Sequence, residues 1–91
     1  MLREQEPKFD AVDGRLVNRA TGVAIPSDEP VFVLRAKDMY AIEALRAYLR
    51  ECTDIRHCEA IARRIDQFER FADQHPTRMK SPDTDPSCVA G

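Results

Sequence analysis

Asp38 to Pro76 reads DMYAIEALRAYLRECTDIRHCEAIARRIDQFERFADQHP, and its apolar spacing decides the fold. Ile42, Leu45, Leu49 and Cys52 recur at intervals of three and four, with Ala41 and Tyr48 widening the stripe. That period puts them on one face of an α-helix. Asp38 stands where a carboxylate can cap the backbone N–H groups two or three residues on. Thr53 and Asp54, both good N-cap types, interrupt the pattern, and a second helix is expected over Ile55 to Gln74. Its stripe is Ile55, Cys58, Ile61, Ala62, Ile65, Phe68 and Ala72, while Glu59 with Arg63 and Asp66 with Arg70 form favourable i,i+4 pairs on the opposite face. So short a connection makes the helices antiparallel neighbours. His75-Pro76 ends the second, because proline disfavours helical angles in the residue before it.

Upstream, KFDAVDGRLVNRATGVAIP places short apolar groups between turn signals at Asp13-Gly14 and Thr21-Gly22. Strands are expected over Lys8 to Val12 and Arg15 to Asn18, joined by Asp-Gly, whose two positions tolerate positive φ. A third short strand is expected over Val23 to Ile25, then an exposed PSDEP loop. VFVLRA, Val31 to Ala36, carries four consecutive apolar residues of β-favouring type and predicts another strand. Val31 and Val33 would face one way and Phe32 and Leu34 the other, so both faces need cover. The helix pair can cover one; the N-terminal segment or a second subunit can cover the other, which favours a homo-oligomer. Beyond the helices, TRMKSPDTDPSCVAG has little to bury and reads as an irregular tail. The expected fold class is α+β: a short N-terminal β-hairpin or small antiparallel sheet packed on an antiparallel two-helix hairpin. Residues 1–75 form the single domain and 76–91 a flexible, Pro-rich tail.

A chain of 91 residues can build one core, burying roughly 60 to 65% of its unfolded surface. That leaves little sequence for the deep cleft of a typical enzyme. A net charge of −2 and a pI near 5.6 supply no basic footprint for sequence-general nucleic-acid binding. The N-terminus MLREQEPKFD resembles neither a signal peptide nor an anchor, and no stretch is long and apolar enough to span a membrane. A cytoplasmic location is expected, and three cysteines, an odd number, agree with a reducing compartment.

The residue types for zinc are present as Cys52, His57, Cys58 and His75. On one helix, however, Cys58 and His75 are about 25 Å apart, and the adjacent His57 and Cys58 point about 100° apart. No metal or cofactor is expected. Cys52 and Cys58 bracket the turn between helices and can approach disulfide range, although small core residues are the simpler reading. Cys88 reads as an exposed thiol. The three glycines, at 14, 22 and 91, are isolated, which excludes the common phosphate-binding loops. Two histidines give thin support for a hydrolase or transferase using His57 or His75.

Two charged clusters remain, Arg35-Ala36-Lys37-Asp38 and Arg78-Met79-Lys80. The first stands where a helix N-terminus offers unpaired N–H groups and partial positive charge. The antiparallel return brings the second cluster toward the first, and Arg35, Lys37, Asp38, Arg78 and Lys80 become candidate ligand-binding residues for phosphate or carboxylate. Solvated charges, with Asp38 simply a cap, explain the same residues more plainly. The strings DGRLVNRATGVAIPSDEPVFVLRAKD and HPTRMKSPDTD resemble segments of a group of small proteins from bacteria and their phages. The resemblance covers Phe9 to Asp85 and brings no activity with it. It implies that these strings matter together, and a phage setting implies an inhibitor or ligand-sequestering protein acting against host defence. The leading expectation is a small non-enzymatic binding protein for a protein partner or a small anionic ligand. The competitors are an adaptor docking through a strand edge or through Arg63 and Arg64, and the small hydrolase or transferase.

Overall fold

Asp13 and Gly14 both hold left-handed backbone angles, φ +50° and +75°, and the chain folds back on itself around them. The computed structural model describes residues 6–84. Strand β1 (Phe9–Val12) pairs antiparallel with β2 (Arg15–Asn18), in a register that sets Phe9 against Asn18 and Val12 against Arg15. The two-residue loop this leaves is the one Asp-Gly favours, because its twist matches that of the strands. The third expected strand, Val23 to Ile25, is reduced to a single bridge between Val17 and Ala24. Hydrogen bonds flank it, from Asn18 N–H to the Val23 carbonyl (2.8 Å) and from Ile25 N–H to the Leu16 carbonyl (2.9 Å). The Asn18 side chain accepts from the N–H groups of Ala20 and Thr21 at 2.9 and 3.1 Å, which shapes the return. Arg19 donates to the carbonyls of Glu6 and Pro7, both at 3.1 Å.

Val31 to Ala36 forms no strand, which corrects the expectation from VFVLRA. Val31, Phe32 and Val33 are 54%, 85% and 70% exposed. The physical reason is that β-propensity measures how well a side chain fits a covered, hydrogen-bonded pleat. No described segment pairs with these residues, so the preference has nothing to act on. The chain divides at this point into two compact units, Met1–Phe32 and Val33–Gly91.

The second unit is a helical hairpin: α1 (Ala41–Glu51) and α2 (Ile55–Gln74), followed by a short 3-10 turn over Pro76–Arg78. Asp54 caps α2, its carboxylate accepting from the N–H groups of Arg56 (2.9 Å) and His57 (3.2 Å). The antiparallel arrangement follows from which residues meet. Tyr48 meets His57 near the connection, Arg46 meets Glu69 further along, and Asp38 meets Lys80 at the far end. Arg46 donates to Glu43 on its own helix and to Glu69 across the pair at 3.1 Å. Those two carboxylates, Glu69 foremost, hold its guanidinium above the ordinary value.

Among the described residues the buried apolar side chains are Ala41 and Ile65, with Ile42, Leu45, Leu49, Cys58, Ile61 and Phe68 half-buried around them. Three members of the expected stripes depart from it: Ile55 is 75% exposed, Tyr48 52%, and Ala62 is exposed as well. Ile55 opens α2 ahead of the contact with α1, and Tyr48 turns its hydroxyl to His57. The stretch expected as a tail is tied down at its start, by the 3-10 turn and by backbone pairing of Lys80. Cys88 and the end of that tail lie outside the described residues.

Candidate functional site

The chain reaches α1 through two successive turns. Asp38 N–H donates to the Arg35 carbonyl at 3.0 Å, closing Arg35-Ala36-Lys37-Asp38, and Ala41 N–H donates to the Asp38 carbonyl at 3.1 Å. Asp38 is 8% exposed, and its carboxylate accepts from Tyr40 N–H at 2.8 Å. The capping bond expected two residues on therefore forms, but it closes the turn before the helix. Tyr40 occupies the N-cap position with no side-chain capping bond.

Proline at position 76 stops α2, and the chain then runs beside this double turn. Lys80 N–H donates to the Lys37 carbonyl and Met39 N–H donates to the Lys80 carbonyl, each at 3.0 Å. These two bonds form a parallel bridge between Asp38 and Lys80. Asp38 is thus fixed on three sides by backbone contacts, which accounts for a buried carboxylate in so small a hairpin.

A cleft of about 260 Å³ opens beside the bridge, lined by Val33, Arg35, Lys37, Asp38, Lys80, Pro82 and Asp83. Arg35 is exposed, Lys37 is half-buried, and Lys80 lies 3.7 Å from the Asp83 carboxylate. Among the described residues, neither Arg35 nor Lys37 makes an ion pair. Three cationic side chains against two carboxylates leave the cleft one positive charge in excess, in a chain whose net charge is −2.

Of the candidates read from the sequence, Arg35, Lys37, Asp38 and Lys80 share this cleft and Arg78 does not line it. The Arg78 guanidinium lies over the Phe71 ring, 4.6 Å from its centroid, so it packs on α2 as a cation–π partner. The expected contribution of free helix N–H groups also changes. The Ala41 N–H is taken by the Asp38 carbonyl, and in the turn before the helix those of Met39 and Tyr40 are taken by the Lys80 carbonyl and the Asp38 carboxylate. No family model, curated protein or solved structure matches the chain.

Val33, Pro82 and Asp83 were not singled out by sequence reasoning. Asp83 had a signal, since it follows Lys80 by three residues. The histidines stand apart from the cleft and from each other. His57 Nε2 and the Tyr48 hydroxyl share a 2.7 Å hydrogen bond, and the His75 ring packs 5.0 Å from that of Phe71. Among the described residues, no group of three or more His, Cys, Asp or Glu side chains is placed to hold a metal ion. Among the described residues, no helix is long and apolar enough to cross a membrane.

Proposed function

We propose that this chain is a non-enzymatic binding protein whose cleft takes the phosphate or carboxylate group of a small ligand. The observation that carries the reading is the convergence of Arg35, Lys37 and Lys80 on one cleft, two of them without an ion pair among the described residues. A cation held near the surface without a partner binds an anion through charge-assisted hydrogen bonds, at roughly 1.5 to 3 kcal/mol each. The volume of about 260 Å³ limits the occupant. It falls below the range of about 300 to 1,000 Å³ typical of drug-sized ligand sites, so an inorganic phosphate or a small polycarboxylate fits and a whole nucleotide does not. Sequestration of such a ligand in a bacterial or phage-infected cytoplasm is the role the resemblance implies.

Isothermal titration calorimetry with inorganic phosphate, pyrophosphate and citrate tests the reading. Saturable binding that weakens about 10- to 100-fold in Arg35→Ala and again in Lys80→Ala supports it. Equal affinity in the double variant would remove the site.

A second reading, docking onto a protein partner, is favoured by the exposed run Val31, Phe32 and Val33. Large apolar side chains exposed in succession mark interaction surfaces more often than single ones do. It predicts that Phe32→Ser weakens capture of the partner while leaving phosphate binding unchanged; the cleft reading predicts the reverse for Lys80→Ala.

A further inference from the structure

Cys52 closes α1 in extended backbone, φ −72° and ψ 131°, and Cys58 lies in the first turns of α2. The Cys58 thiol donates to the Cys52 carbonyl at 3.4 Å, and the Cys52 thiol donates to the Asp54 carbonyl at 3.6 Å. Both residues are half-buried, close enough to interact and open enough to meet a small reagent. We propose that Cys52 and Cys58 are a dithiol modification site, which closes to an intramolecular disulfide by exchange with a small disulfide of the glutathione type.

The exchange balances in two steps. Cys52 gives its proton to solvent and the thiolate attacks one sulfur of the reagent, forming a mixed disulfide and releasing a thiolate that takes up a proton from solvent. Cys58 then loses its proton to solvent and attacks the Cys52 sulfur, releasing the second thiolate, which is protonated in the same way. The protein dithiol is oxidised and the reagent disulfide is reduced to two thiols. The order follows from the surroundings of Cys58. Its interaction with the Cys52 thiol, foremost, and its partial burial push the thiol above the ordinary range, which makes it the poorer first nucleophile. In the mixed disulfide Cys52 no longer carries a thiol, so that interaction is gone.

Closure joins the end of α1 to the start of α2 across Thr53 and Asp54, and so stays within the helical hairpin. It needs no contact with the cleft, and it stands independently of ligand binding.

The test uses the full chain and a Cys88→Ser variant, both exposed to oxidised glutathione and then alkylated. The expected product is about 2 Da lighter than the dithiol form, from loss of two hydrogens. Trypsin should then release Glu51–Arg56 and His57–Arg63 as one linked species that reduction separates. In the Cys88→Ser background, Cys58→Ser should keep a glutathione adduct on Cys52, Cys52→Ser should gain one on Cys58 more slowly, and neither should close. Cys52 and Cys58 remaining alkylatable, glutathione retained on the Cys88→Ser variant without ring closure, or a bond that requires Cys88 would each overturn the proposal.

Discussion

Asp38 is held through its side chain and its backbone alike. Its carboxylate organises the turn before α1, its carbonyl receives Ala41, and its backbone lies between the two hydrogen bonds of the Lys80 bridge. Asp38→Ala removes the acceptor for the partly buried Tyr40 N–H and is expected to cost about 1 to 2 kcal/mol, read as a lower midpoint in urea. Because the cleft is built on that turn, phosphate affinity should fall with it. Arg78→Ala should leave phosphate affinity within about twofold, since its guanidinium stacks on Phe71 and one lost cation–π contact is worth roughly 0.5 to 1 kcal/mol at an exposed site. Calorimetry on the two variants separates them. From the sequence, the antiparallel return of the helices allows Arg35, Lys37 and Asp38 to meet Arg78 and Lys80. The sequence could not show that Arg78 turns away. The choice between an anion and the face of Phe71 depends on where one turn of 3-10 helix aims a side chain.

At the scale of elements, the helices and the hairpin were legible and the VFVLRA segment was not. The helix pattern is internal to its own segment: Leu45, Leu49, Ile61 and Ile65 repeat at the helical period, and Asp54 supplies a cap. The β1–β2 turn is equally local, with Asp-Gly in the left-handed region. A strand at Val31 to Ala36 would require a neighbour, and sequence alone cannot supply one. Gly14→Ala should therefore destabilise the β1–β2 hairpin by about 1 kcal/mol, through backbone strain at φ +75° and without a steric clash, since nothing lies within 4 Å of an added Cβ. Hydrogen exchange of the Val17 amide, at a hydrogen-bonded position opposite Asp10, reads that loss locally. Ile65→Ala should cost about 2 to 4 kcal/mol, because it empties the buried centre of the α1–α2 contact. The Arg46–Glu69 bridge, with both side chains nearly half exposed, should contribute under about 1 kcal/mol in a double-mutant cycle.

For the molecule as a whole, apolar surface is the quantity in excess. Ala41 and Ile65 are the buried apolar side chains among the described residues, while Val23, Val31, Phe32, Val33, Met39, Tyr40 and Ile55 each remain more than half exposed. A domain of 91 residues has little stability in reserve, and covering such surface in an assembly would add to it. Native mass spectrometry is expected to report more than one subunit, and a strictly monomeric spectrum at micromolar concentration would count against the homo-oligomer. The same spectrum shows any small anion retained from the cell. The cationic cleft is put to the test by an NMR titration of the full chain with inorganic phosphate, following every backbone amide. Saturable shifts confined to Arg35–Tyr40 and Lys80–Asp83, and absent in Lys80→Ala, are the predicted result. Shifts that never saturate, that gather elsewhere on the chain, or that persist unchanged in Lys80→Ala would contradict it.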